Sequence, residues 1–151
     1  MQTTLEAREE IVAELGRSID RIALATACFG QAYELVDEAT GDRLEATLFR
    51  PVQRALGRAK RAQAAFAGRV NLPVGAPEQP SAGVPSQGVK RFVERGGEAA
   101  ADADRVLAEL QDSMLPIEFG DPELRSGLSE TRELVDTLPR AARDFLRTLG
   151  R

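Results

Sequence analysis

Four arginines in one predicted helix have a spacing that could bind an anion. They are four, four and three residues apart and so share one side of a helix: Arg50, Arg54, Arg58 and Arg61. Because guanidinium groups match the geometry of oxyanions, this arginine stripe could hold phosphates or an acidic partner. The alternative is a solvated face balanced by acids of other helices. We favour the alternative, because neither aromatic residues nor a basic loop accompany the stripe, as they usually do in a nucleic-acid reader.

The sequence lacks the residues on which most catalytic and metal sites depend. It contains no histidine and a single cysteine, Cys28. The iron and haem sites of helical bundles use histidine, and the usual serine and cysteine hydrolases need an imidazole base. Four acids crowd one predicted turn, but without the ligand order of a calcium loop: Asp37, Glu38, Asp42 and Glu45. We therefore expect no catalytic residue, no metal and no cofactor, and predict that the protein is not an enzyme.

Composition restricts the partners and the location. The 151-residue chain has a net charge of -4, which disfavours nucleic acid or an anionic membrane as the main partner. The longest uncharged helical stretch, residues 22–33, is too short for a transmembrane segment, which needs about 20 apolar residues. The N-terminus lacks the layout of a signal peptide, and a lone cysteine cannot form an intrachain disulfide. We therefore predict a cytoplasmic protein without a transmembrane segment.

Four stretches carry apolar or small residues at alternating spacings of three and four, which is typical of packed helices. The four patterns run over Val12–Val36, Leu44–Val70, Val89–Met114 and Leu124–Leu149. Leu5 and Ile11 extend the first pattern towards the N-terminus. They predict an all-α, antiparallel up-down-up-down four-helix bundle in a single domain, residues 1–151. The predicted helices are about 4–39, 42–70, 86–115 and 122–149.

Local signals mark the helix ends and the connections. Candidate N-caps stand before each predicted helix: Thr3, Asp42, Ser86 and Asp121. Gly41 is expected to end the first helix, and Pro51 and Pro139 are expected to kink or open the second and fourth. Residues 71–85 form a Pro/Gly-rich linker that could cross the bundle end, lie along a helical face or be flexible.

The predicted core has small residues at its centre. Antiparallel counting from the short turns places four of them at one level, with Tyr33 one level further: Thr26, Ala55, Ala103 and Thr131. Either the second and third helices approach closely there, or a small cavity with a polar rim binds an apolar ligand. We favour close approach, because protein interiors are normally filled to high density, and a helical threonine can bond its hydroxyl back to its own preceding turn.

The first helix also carries apolar residues outside its core stripe, namely Leu24, Cys28 and Leu35. A helix that is apolar all round is expected to be covered on more than one side, by the linker, by a second copy of the chain or by another protein. We favour association, and we expect Cys28 to act as a small hydrophobic residue rather than a reactive thiol.

These observations give one leading functional hypothesis and two alternatives. The leading hypothesis is a non-enzymatic interaction or scaffold protein that forms a homo-oligomer or docks a protein partner through the outer face of the first helix. The alternatives are a bundle that binds a small apolar ligand in its middle layers, and an anion or nucleic-acid contact along the arginine stripe.

Overall fold

The structure, a computed structural model, describes residues 2–149 as α-helices joined by short turns and one long linker. No strand occurs among these residues, as the helical periodicity predicts. The α-helices, in chain order, are α1 Thr4–Glu34, α2 Glu38–Leu44, α3 Arg50–Arg69, α4 Gly88–Asp112, α5 Leu115–Glu118, α6 Pro122–Val135 and α7 Leu138–Leu149. A π-helical turn, Glu45–Phe49, joins α2 to α3, and a 3₁₀ turn, Pro85–Gln87, precedes α4.

Two of the predicted helix starts are confirmed by their side-chain caps. The Thr3 hydroxyl accepts a hydrogen bond from the Glu6 N–H at 3.0 Å. The Asp121 carboxylate accepts one from the Leu124 N–H at 2.8 Å, and Pro122 occupies the first position of α6. Caps of this kind stabilise a protein by about 1 kcal/mol each, because they satisfy backbone donors that the helix leaves free.

The turn after α1 lies earlier in the chain than predicted. α1 ends at Glu34, and the Asp37 carboxylate accepts the Thr40 N–H at 2.8 Å, so that Asp37 rather than Asp42 caps the second helix. Gly41 does not end a helix but lies buried within α2. Both aspartates have the side chain that a cap requires, and the sequence pattern does not choose between them.

The predicted cap at Ser86 is also wrong. Ser86 lies inside the 3₁₀ turn, and α4 begins two residues later at Gly88. Gly88 has φ +86°, a conformation that glycine adopts at little cost, so the chain enters α4 through a glycine turn instead of a side-chain cap.

Both interior prolines open their helices, as predicted. The π-helical turn ends two residues before Pro51, and just after it the Arg50 N–H reaches back five residues to the Glu45 carbonyl. This wider turn accommodates the pyrrolidine ring and the missing donor of Pro51, which an α-helix interior tolerates poorly. Near Pro139 the fourth predicted helix divides into α6, which ends at Val135, and α7.

The direction of the third long helix differs from the prediction. Phe29, near the end of α1, faces Gly96 in the first half of α4. At the opposite end of the bundle, Arg8 Nε donates to the Phe119 carbonyl at 3.3 Å, just beyond α5. α4 therefore runs antiparallel to α1, whereas the predicted order makes these two helices parallel.

The remaining directions follow from two further contacts. Gln63 Nε2, in the second half of α3, donates to the Val12 carbonyl near the start of α1 at 3.0 Å, so α3 is also antiparallel to α1. The Arg69 guanidinium, at the end of α3, bonds Asp121 at the start of α6 at 2.6 and 2.8 Å. The order is thus up-down-down-up, with α3 and α4 parallel and both packed against α1 and α6.

The parallel arrangement of α3 and α4 requires the linker to run the length of the bundle. At 1.5 Å per residue, the 20-residue α3 is about 30 Å long, and about 15 extended residues can reach about 50 Å. The linker leaves α3 through Asn71, which has φ +58°, with the Leu72 N–H bonded to the Ala67 carbonyl at 2.8 Å. Further along, Ala82 is buried and its carbonyl accepts a hydrogen bond from the Arg95 guanidinium. The linker therefore lies along the helices, which was one of the predicted alternatives.

The buried hydrophobic residues form one cluster between the helices. The buried stripe of α1 is rotated from the predicted one: Val12 and Thr26 are half-buried, and Tyr33 is exposed. The buried residues of α1 include small side chains that the prediction left out: Ser18, Ala25, Cys28 and Ala32. α1 turns these small side chains inward because it packs closely on α4.

Candidate functional site

The residues predicted to line a ligand cavity do not come together. Of the five, Ala55, Ala103 and Thr131 are buried, Thr26 is half-buried and Tyr33 is exposed. Thr131 follows Glu130, which pairs with Arg58 in the middle of α3, whereas Thr26 lies in the part of α1 that faces the beginning of α3. The two threonines therefore differ in level by more than one helical turn, and the predicted layer does not form.

Neither threonine offers a free polar group to a ligand. The Thr26 hydroxyl donates to the Ile22 carbonyl at 2.8 Å, and the Thr131 hydroxyl donates to the Gly127 carbonyl at 2.7 Å. Within residues 2–149, every buried side-chain nitrogen or oxygen has a hydrogen-bond partner. The polar groups of the core are thus satisfied by the protein itself.

Small residues bring helices together, although not the pair that was predicted. A Cβ on Gly96 of α4 would lie 2.4 Å from the Phe29 ring of α1. A Cβ on Gly127 of α6 would lie 2.7 Å from the Ala62 Cβ of α3. Real Cβ atoms do not make such short contacts, so these glycines permit the close approach of α1 to α4 and of α3 to α6. The predicted close pair, α3 and α4, is separated by α1 and α6.

The arginine stripe of α3 is divided by ion pairs. The Arg58 guanidinium pairs with Glu130 of α6, and Arg50 lies 3.7 Å from Glu45. Arg54 and Arg61 are exposed and form no ion pair with the described residues. The four arginines therefore do not form a continuous row of uncompensated charge.

An open groove of about 440 Å³ lies beside this stripe, between α3 and the start of α6. Arg58, Arg61 and Arg69 line it, but Arg69 bonds Asp121 and lies 3.0 Å from the Glu123 carboxylate. The hydrogen bond from Arg69 lowers the pKa of the Asp121 carboxyl below its ordinary value, and the Leu124 N–H adds to this effect. An anion in the groove would compete with these internal carboxylates, so the groove is a weaker anion site than its three arginines suggest.

The predicted interaction face of α1 is only partly available to a partner. Cys28 is fully buried against α4, and burial raises the pKa of its thiol. Leu24 is half-buried against the core, and Leu35, just beyond α1, is exposed. The burial of Cys28 removes it from the surface, because the core side of α1 is rotated towards α4.

One carboxylate of the acidic turn caps a helix. The Asp37 carboxylate caps α2, and the hydrogen bond from the Thr40 N–H lowers its pKa below the ordinary value. In the part of the chain that the structure describes, no group of three or more acidic, cysteine or histidine side chains is arranged to hold a metal ion.

Three exposed large hydrophobic residues lie at the end of the bundle where α1 begins. Leu5 and Ile117 are each 57% exposed, and Met114 is 47% exposed. The sequence pattern placed Leu5 and Met114 in core stripes and Ile117 in a connection. We call these three residues the apolar end; their exposure depends on where the helices stop, which the periodicity does not reveal.

Comparisons with protein-family models, with curated proteins and with solved structures give no significant match to this chain. Across residues 2–149, no helix is both long enough and apolar enough to cross a membrane. Inferences about function therefore depend on the surface of the bundle itself.

Proposed function

We propose that the protein is a non-enzymatic interaction protein that self-associates through its apolar end. The observation that supports this most is the exposure of Leu5, Met114 and Ile117 at one end of the bundle. α1 contacts α5, and the Arg8 side chain bonds the Phe119 carbonyl, so the segments that carry the three residues are neighbours. Scattered single hydrophobic residues are normal on a surface, but large ones gathered in one place are typical of a contact site.

The backbone of Met114 supports the proposal. Met114 has φ +69° at the position just after α4, where glycine or asparagine is usual. A left-handed conformation costs a residue with a Cβ roughly 1 kcal/mol. In the folded monomer the Met114 side chain remains 47% exposed, so about half of it is free to pack against a partner. A contact made by this flexible thioether chain in a complex would offset that cost.

The charges beside the apolar end suit a second copy of the chain. Arg8 and Arg125 bond the Phe119 and Pro116 carbonyls of the connection, and Glu118 is exposed next to Ile117. In a two-fold contact, a residue away from the axis meets a different residue of the second copy. The arginines of one copy can therefore pair with Glu118 of the other. The patch is small, and the complex is therefore expected to be weak and concentration-dependent.

Sedimentation velocity tests the proposal with a matched pair of variants. The wild type is expected to show a rising sedimentation coefficient over about 10–500 µM, the range expected for a small interface. Ile117→Glu should abolish the rise, because it places a charge in the contact. Val84→Glu is the control, since Val84 is 59% exposed but belongs to the linker near the opposite end. A monomeric wild type, or equal behaviour of the two variants, would contradict the proposal.

A further inference from the structure

The sulfur-containing residues of the chain differ sharply in their access to solvent. The sequence has two methionines and one cysteine. Cys28 is fully buried, and burial raises the pKa of its thiol, so the reactive thiolate is scarce. Met1 lies outside the described residues. Within residues 2–149, Met114 is therefore the sulfur-containing residue that a dissolved oxidant reaches, and it is 47% exposed.

The backbone holds Met114 in the same short unit as Ile117. The Met114 carbonyl accepts the Ile117 N–H at 3.1 Å and the Glu118 N–H at 3.0 Å, which closes the first turn of α5. Leu5, near the start of α1, is the third member of the apolar end. The thioether of Met114 therefore belongs to the surface that self-association would bury.

The folded monomer can accept a more polar side chain at this position. Met114 lies outside the buried hydrophobic cluster of the core. A thioether has no N–H or O–H and is only a weak acceptor, so oxidation of its sulfur removes no strong hydrogen bond. The added oxygen can instead bond water on the exposed side. Oxidation of Met114 should therefore leave the fold intact and change the polarity of the apolar end.

We propose that Met114 is a site of reversible oxidation that controls self-association, an inference that rests on the proposed function. A peroxide is the oxidant: its O–O bond breaks, the sulfur gives two electrons and forms an S–O bond, and the peroxide leaves as water or an alcohol. A methionine sulfoxide reductase reverses the step with two thiols, which become a disulfide while the oxygen leaves as water.

The sulfoxide opposes the contact because it is strongly polar. In the complex it would be buried against the apolar side chains of a second copy, where an acceptor without a donor is unfavourable. The converse also holds, because the complex covers Met114 and the monomer leaves it open. Peroxide should therefore oxidise Met114 more slowly at protein concentrations at which the complex predominates.

Sedimentation velocity before and after treatment with hydrogen peroxide tests the inference, with mass spectrometry of the Met114 peptide to follow the added oxygen. Oxidation of the wild type is expected to raise the Kd of self-association about tenfold. Reduction by methionine sulfoxide reductases for both epimers should restore the original Kd. Met114→Leu is the matched control, because leucine is apolar and of similar volume but has no sulfur. This variant should associate like the wild type, with or without peroxide.

The possible outcomes separate this inference from the proposed function. An untreated wild type that stays monomeric would contradict self-association, and the oxidation control with it. A wild type whose Kd is unchanged after complete oxidation of Met114 would overturn the oxidation control alone. Loss of association by peroxide-treated Met114→Leu would do the same, because that variant keeps Met1 and Cys28. Urea unfolding of oxidised Ile117→Glu, the monomeric variant, should match that of the unoxidised variant; a marked loss of stability would show that the sulfoxide acts on the fold instead.

Discussion

Gly96 offers a direct test of how α1 packs on α4. In Gly96→Ala the new Cβ would lie 2.4, 2.7 and 2.9 Å from three atoms of the Phe29 ring, which is fully buried and cannot move into solvent. Overpacking of a core costs about 1–3 kcal/mol, and the better helix propensity of alanine returns about 1 kcal/mol. Because a 2.4 Å contact is severe, the cost should lie in the upper part of this range, about 2–3 kcal/mol. We therefore expect a net loss of about 1–2 kcal/mol in the free energy of unfolding, or roughly 5 °C in Tm.

The matched control is Gly68→Ala in α3, where a Cβ would meet no atom within 4 Å. Alanine should stabilise that helix by about 0.5–1 kcal/mol, so the two substitutions are expected to have opposite signs. Urea unfolding of both variants, and of Gly96→Ala combined with Phe29→Leu, measures the effect. In the Phe29→Leu background the cost of Gly96→Ala should fall by about 1 kcal/mol or more, because the ring no longer opposes the methyl group. If both alanine variants are stabilising, Gly96 does not face Phe29 and the antiparallel packing of α1 and α4 is wrong.

Three further predictions concern the helix ends and the linker. Met114→Gly should raise the free energy of unfolding by about 1 kcal/mol, because it relieves a left-handed backbone, while weakening self-association; a less stable variant in urea would contradict this. Because the pKa of Asp121 is lowered in the folded protein, its contribution is present above the unfolded pKa of about 3.9 and is lost as the pH falls through the folded pKa. Asp121→Asn keeps the cap but loses the ion pair with Arg69, so it should be less stable than the wild type at pH 7, by up to about 1 kcal/mol, and the difference should shrink below pH 4 in thermal melts. Arg95→Ala should free the Ala82 carbonyl and accelerate cleavage by a glutamyl endopeptidase after Glu78, and an unchanged cleavage rate would show that Arg95 does not hold the linker.

The sequence predicts the positions of the helices better than their arrangement. The three-and-four spacing and the caps at Thr3 and Asp121 depend on contacts close in the chain, and the structure confirms them. A heptad stripe has the same spacing in either direction, so it does not reveal that α4 runs antiparallel to α1. The linker is long enough for both arrangements, and its anchor at Ala82 comes from a single arginine, Arg95, that no local motif marks.

The exposed residues could be predicted least well from the sequence, because exposure also depends on how the helices are arranged. Met114 is in phase with the core stripe of the third pattern, but its left-handed backbone ends the helix and leaves its side chain exposed. Cys28 is out of phase with the predicted stripe of α1, yet it is buried because α4 packs on that side. Both outcomes depend on tertiary contacts and on one backbone dihedral, which residue spacing does not encode.

Intermolecular paramagnetic relaxation tests the proposed self-association most directly. A nitroxide on Glu9→Cys, an exposed position one turn after Leu5, can be attached selectively, because Cys28 is fully buried and burial raises the pKa of its thiol. The labelled chain at natural isotope abundance is mixed with ¹⁵N-labelled wild type, so that only contacts between copies broaden signals. We predict broadening of the amides of Leu5, Met114 and Ile117. Broadening confined to Leu35 and Val84, or none at the highest soluble concentration, would contradict association through the apolar end.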